Sequence, residues 1–251
     1  MTLSYGTREV EAVLFDLDDV LVPFQTPAAW QWAWHPQGPL LGERRVKAAV
    51  RRAMKAWDRR RWQGLTGKAP PADVTALRAY IADSLATVAG HALPPTETEA
   101  VVRRFLHPAG EVERYPDVAT TLDRLRAAGV KAGVVTPLPA ESARWLLHRC
   151  GLPESLLLGS GDGPLPCVPD RSAFRSAAQA IGASTDRVAY VGDLFWSDVR
   201  AAARAGLAAV LLDRRDAWPK VLTGRLTSLD QLESTLSTGG SPPEAEGADA
   251  A

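Results

Sequence analysis

After Tyr115-Pro116 the chain settles into a repeat of helix, turn and short apolar strand, and this repeat restricts the fold more than any other feature. Periodicity predicts helices over 117–128, 140–150, 170–181 and 197–205, alternating with strands over 130–135, 155–159, 187–191 and 208–212. Gly129 stands where a helix C-cap needs a left-handed residue. Strands and helices that alternate in this way form a parallel sheet, because each crossover helix returns the chain to the same edge and covers a face. One strand stands apart. Residues 10–15, VEAVLF, read as a buried strand, yet the alternation resumes only at 117.

Between them lies a stretch with helical spacing and proline breaks at Pro70-Pro71 and Pro94-Pro95. Val46, Val50, Ala53, Met54 and Trp57 recur at helical intervals, as do Val74, Leu77, Ile81, Leu85 and Val88. Thr96-Glu97-Thr98-Glu99 has the form of a capping box, and a short aromatic helix is expected over 27–35. The expected architecture is a three-layer α/β fold, a Rossmann-like parallel sheet with an inserted all-helical cap. Residues 1–22 and 113–236 form its core, 23–112 the cap, and the small, acidic, proline-bearing 237–251 a disordered tail.

Charge excludes several classes of function. Lys and Arg number 29, as do Asp and Glu, so the chain has no global electrostatic footprint for nucleic acid or an anionic membrane. Any phosphate site must be local. The two cysteines, Cys150 and Cys167, form no CxxC pattern, and His35, His91, His107 and His148 are scattered, which argues against a zinc cage. No apolar run approaches the roughly 20 residues of a spanning helix. The N-terminal stretch lacks a basic segment and is interrupted by Glu9, Glu11 and Asp16, so a cytoplasmic protein without a signal peptide is expected. Residues 43–62 carry nine basic side chains against Glu43 and Asp58; with the apolar stripe on the other face, they read as a solvated helix surface. Trp30, Trp32, Trp34, Trp57 and Trp62 are expected to pack the cap or its hinge.

In doubly wound sheets ligands bind beyond the carboxyl ends of the strands. Three strands end in polar residues there: Asp16-Leu17-Asp18-Asp19, Val135-Thr136, and Gly192-Asp193 with Asp198 five residues on. Asp16 and Asp18 project to one side if the strand continues through them. Carboxylates so crowded do not all ionise cheaply without a cation. A hard divalent ion such as Mg²⁺, held with Asp193 and Asp198, resolves the repulsion and can neutralise and align a phosphoryl group. One carboxylate could then act as nucleophile and a second as acid/base, with Thr136 donating to a phosphoryl oxygen. The plainer alternatives are a helix cap for Asp198 and a turn residue for Thr136.

These motifs resemble those of the haloacid dehalogenase-like superfamily, from about residue 10 to 235, in its phosphoglycolate-phosphatase-like branch with a helical cap. Asp16-Leu17-Asp18-Asp19-Val20 matches the first motif, Val134-Val135-Thr136 the second, and Val188 through Asp193 and Asp198 the fourth. The resemblance implies Asp16 as nucleophile, Asp18 as acid/base and Thr136 as phosphoryl ligand. It also implies a Mg²⁺ site of Asp16, Asp18 through its backbone carbonyl, Asp193 and Asp198. Asp at position 18 points to phosphate esters rather than dehalogenation.

The third motif departs from the pattern, because Val168 stands where relatives carry lysine in Val168-Pro169-Asp170-Arg171-Ser172-Ala173-Phe174. Losing such a cation costs about 3–4 kcal/mol of transition-state stabilisation. Arg171 is the expected substitute, with Lys68 of the cap left open, and Pro137 replaces a common asparagine. The function implied is a Mg²⁺-dependent phosphatase acting on a small phosphorylated metabolite through an aspartyl-phosphate, with no nucleic-acid or membrane partner. A degenerate phospho-ligand or protein binder, and a phosphomutase, are the alternatives.

Overall fold

The computed structural model describes residues 3–23, 55–64, 66–68, 74–91, 94–106, 112–162, 170–219, 221 and 224–237. Six parallel strands form one sheet in the order β5-β4-β3-β6-β7-β8: β3 Ala12–Phe15, β4 Lys131–Val135, β5 Leu157–Gly159, β6 Val188–Gly192, β7 Ala208–Leu212 and β8 Arg225–Leu226. The expected α/β Rossmann-like fold is therefore the one observed. A small antiparallel pair, β1 Ser4–Tyr5 and β2 Arg8–Glu9, precedes it. Neither this pair nor β8 stood out in the sequence, since each strand is only two residues long.

Alternate residues of the central strands face opposite layers. Val13, Phe15, Val134 and Val191 pack with Val118 and Leu125 of the helix Pro116–Ala127 and Leu146 and Leu147 of the helix Ala140–Arg149. Leu14, Val135, Tyr190 and Leu211 pack on the other side with Phe174 and Ala177 of the helix Arg171–Ala180. Both faces of β3, β6 and β7 are buried, which is why these strands read as continuous apolar runs. Gly129 has φ of 73° beyond the helix Pro116–Ala127, and Val130 N–H bonds back to Leu125 O at 2.9 Å, closing the helix as expected.

Between Pro23 and Pro116 the described secondary structure is helical: 55–64, Val74–Ala89 and Pro95–Leu106. The expected aromatic helix, with Trp30, Trp32 and Trp34, lies outside the described residues, as do His35, His107, Cys167 and residues 43–54 of the basic run. Trp57 is buried and stacks on Tyr80 at 5.1 Å. At the other end Ser237 closes the helix Leu232–Ser237 rather than opening a tail, and 238–251 lie outside the described residues. Among the described residues no helix is long and apolar enough to cross a membrane.

One buried ion pair joins three parts of the core. Arg214 donates to both carboxylate oxygens of Asp117 at 2.8 and 2.9 Å and to Val20 O at 3.0 Å, while Ser228 Oγ and Leu229 N–H also donate to Asp117. Burial alone would raise the Asp117 carboxyl, but these hydrogen bonds outweigh it and lower its pKa. A depressed carboxyl stabilises the fold above its unfolded pKa of about 3.9 and loses that contribution as pH falls through the lower folded value. Asp117→Asn is therefore expected to cost about 3 kcal/mol in urea unfolding at pH 7, because it strands the buried Arg214 charge. The gap to wild type should close progressively below pH 4, and a constant gap down to pH 2 would contradict the assignment.

Candidate active site

Register brings the strand ends level. Phe15 pairs with Val134 on one side and Val191 on the other, so the residues that follow β3, β4 and β6 emerge along one edge. Asp16 N–H still bonds to Val191 O at 2.9 Å, carrying the ladder one residue past the strand. The strand does not continue through Asp18. Leu21 and Val22 N–H both bond to Leu17 O, at 3.0 and 3.1 Å, and Asp19 N–H bonds to Val22 O at 2.8 Å, so the chain folds into a tight turn. Asp19 occupies the left-handed region with φ of 58°, which aspartate tolerates better than most residues. Arg215 grips its carboxylate with Nε at 2.5 Å and Nη2 at 2.6 Å, and Tyr115 OH donates to it at 2.5 Å.

Asp16, Asp193 and Asp198, all buried, each offer a carboxylate oxygen within 4.8 Å of the others. Asp18 stands outside this trio, although its charge raises the pKa of both Asp16 and Asp193. Asp198 sits in a π-helical turn, Phe195–Arg200, that runs into the helix Ala201–Ala205. The helix expected from 197 thus starts earlier and wider, with Val199 N–H reaching Leu194 O at 3.2 Å. Leu194 N–H donates to Asp198 Oδ2 at 3.3 Å, and Arg61 Nη1 donates to Oδ1 at 3.0 Å. Close approach requires glycine at 192: a Cβ there would lie 2.6 Å from Asp198 Cβ and 2.9 Å from its Oδ2.

Electrostatics follow from this crowding. Burial, then the charge of Asp198, pushes Asp16 well above the usual carboxylate range, opposed by Arg61 and by the Leu17 N–H that donates to Oδ1 at 2.7 Å. Asp193 is raised for the same two leading reasons. Asp198 is raised by burial and held back by Arg61. A compact set of hard oxygen donors that repel one another when ionised is the donor chemistry of a divalent-cation site.

Thr136 is buried immediately beyond β4, where Leu138 N–H approaches its Oγ1 at 3.4 Å. Arg171 and Lys68 are both exposed. Arg171 opens its helix beside the N-cap Asp170, which accepts Ser172 N–H at 2.6 Å. Val168 and Pro169 lie outside the described residues. Among the described residues Arg61, only 1% exposed, is a cation that acts on Asp16 and Asp198, although its place in the basic run 43–62 predicts a solvated face. Its neighbour on that helix, Asp58, is equally buried and accepts the N–H groups of Trp196 at 2.9 Å and Ser197 at 2.6 Å. Burial pushes the Asp58 carboxyl up to about 6 against the pull of these N–H groups. A signal existed: counting on from Val50, Met54 and Trp57, position 61 continues the apolar stripe, so a charge there is out of place on a solvated face.

A family model described as haloacid dehalogenase-like hydrolase matches residues 10–206. The phosphoglycolate phosphatase of Rhodospirillum rubrum is 31% identical over 214 residues, which is 80% of this chain and 79% of that one. A HAD family hydrolase of Deinococcus radiodurans, solved with bound phosphate and sodium, superposes with a TM-score of 0.61 at 23% identity, covering 92% of this chain and 96% of that one. A HAD-hydrolase of Bacillus subtilis, solved bound to magnesium, gives 0.68 at 19% identity, covering 92% and 99%.

Two outcomes are expected of this geometry. A divalent cation at about 100 times its dissociation constant stabilises the protein by about 2.7 kcal/mol, raising the thermal midpoint by about 5–10 °C for a chain of this size. Because the raised carboxyls must ionise to bind it, calorimetry in buffers of different ionisation enthalpy should register proton release, with affinity falling as pH is lowered. Gly192→Ala forces Asp198 aside and should cost about 1–3 kcal/mol together with the cation-induced rise in midpoint. Retention of that rise would show that Asp198 is not needed for the cation.

Proposed function

Since the chain belongs to the haloacid dehalogenase-like hydrolases, in the phosphoglycolate-phosphatase-like branch, we propose that it is a Mg²⁺-dependent phosphatase that hydrolyses a small phosphorylated metabolite through an aspartyl-phosphate on Asp16. The observation that carries this reading is the trio of buried carboxylates at the sheet's carboxyl edge, with Asp18 beside it. Asp16, Asp193 and Asp198, with the Asp18 carbonyl, would hold the ion. Bound there, Mg²⁺ supplies positive charge that offsets that of the phosphoryl oxygens.

Asp16 is the nucleophile. The Leu17 N–H on its Oδ1 fixes the carboxylate plane and leaves Oδ2 to attack phosphorus. As the Asp16–phosphorus bond forms, the ester oxygen departs with the phosphorus–oxygen bond pair and takes a proton from Asp18. Asp18, now a carboxylate, removes a proton from water as that water attacks phosphorus; the Asp16–phosphorus bond breaks, inorganic phosphate leaves, and both aspartates return to their starting states. Thr136 donates its hydroxyl to a phosphoryl oxygen. The insert helices 55–64, Val74–Ala89 and Pro95–Leu106 act as a cap over this edge, limiting entry of bulk water and shaping the choice of alcohol on the ester.

Phosphate release from a panel of small phosphate monoesters, with Mg²⁺ and with EDTA, tests the proposal. Turnover should require Mg²⁺ and fall by about 10⁴-fold or more in Asp16→Asn, with ³²P from a labelled ester retained on acid-quenched wild type and absent from the variant. Full activity in Asp16→Asn would overturn the aspartyl-phosphate route.

A further inference from the structure

The helix 55–64 belongs to the insert, yet one of its faces holds the segment that bears Asp193 and Asp198. Asp58 accepts the N–H groups of Trp196 and Ser197, in the opening turn of the π-helical segment. A carboxylate in that place satisfies two donors that the turn itself leaves open and opposes its positive end. One helical turn onward Arg61 donates to Asp198 at 3.0 Å, both side chains being buried. Trp62 packs on Trp196 with centroids 5.7 Å apart. Lys55 Nζ lies 5.4 Å over the Trp218 ring, and Trp218 Nε1 donates to Asp193 O at 2.9 Å. The backbone before and around both acidic residues is thus braced from the insert.

We propose that Asp58 and Arg61 are positioning residues for the cation site, fixing Asp198 so that the carboxylates reach full affinity only with the helix 55–64 seated against them. The proposal rests on the reading of Asp16, Asp193 and Asp198 as cation ligands. Charge supports the assignment. The carboxylates of Asp16, Asp193 and Asp198 carry three negative charges, which a divalent ion and the Arg61 guanidinium balance, while the Asp58 carboxylate is met by the two N–H groups it accepts. Docking alone would not call for such a pair, because apolar contacts hold two surfaces together without the desolvation cost of burying a guanidinium and a carboxylate. Bonds that orient a ligand from behind do call for it.

Mn²⁺ alone serves as the probe, its binding read by electron paramagnetic resonance, with thermal unfolding in EDTA as the measure of folding. Asp58→Asn and Arg61→Met are expected to raise the Mn²⁺ dissociation constant by about 10–100-fold, and Arg61→Lys to recover most of the loss. Folded variants that bind Mn²⁺ as tightly as wild type, or more tightly, would overturn the proposal. So would a drop in unfolding midpoint in EDTA with unchanged affinity, the signature of a docking role only. Should Arg61→Met fail to fold, the near-isosteric Asp58→Asn decides. Wild type that does not bind Mn²⁺ would overturn the cation reading itself, a result distinct from wild type that binds and variants that bind equally.

Discussion

Like charges buried together at the end of a parallel sheet repel one another at short range and in a poorly screening medium, and the structure around Asp16, Asp193 and Asp198 is organised by that repulsion. Burial raises all three carboxyls; at Asp16 and Asp198 it is opposed by Arg61, by the backbone N–H groups of Leu17 and Leu194, and by the Ser197 hydroxyl on Asp198. Glycine at 192 lets Asp198 approach closely enough to share the site. A soft packing arrangement would let the carboxylates drift apart; here the Leu17 N–H holds Asp16, and Leu194 N–H with Arg61 holds Asp198.

Those contacts come from two sides. On the core side, Arg215 and Tyr115 clamp Asp19 in its left-handed conformation, and Arg214 ties Asp117 to Val20, so the turn carrying Asp16 and Asp18 is anchored to the helix Pro116–Ala127 and to the segment after β7. On the other side, Asp58 and Arg61 brace the π-helical turn. Asp16 and Asp198 are therefore held by separate scaffolds that meet at the site. Such an arrangement ties the geometry around Asp198 to the helix 55–64.

Much of this was legible in the residues. Strand-end motifs are local: an apolar run followed at once by Asp16, Thr136 or Asp193 places each side chain on the same edge as soon as the strands are parallel. The turn after Phe15 was less legible, because Asp18 looks like a strand residue until the bonds to Leu17 O fold the chain back. Nearness in sequence to the third motif favours Arg171 as a site cation; it is exposed at a helix start, whereas Arg61 reaches Asp198 from far upstream. A run of arginines at 59–61 with Asp58 beside it carries the same composition whether it faces water or a carboxylate, and only its register on the apolar stripe separates the two.

Sequence by itself determined the sheet, its parallel sense and the edge on which the acidic residues gather, since hydrophobic periodicity and strand-end position are properties of neighbouring residues. Tertiary structure alone decided which cation shares the buried volume of those carboxylates: Arg61 of the insert faces Asp198, while Arg171 is exposed. Burial and electrostatic partnership depend on what packs across the gap, and residues 61 and 198 are brought together by the docking of two elements, not by any pattern along the chain.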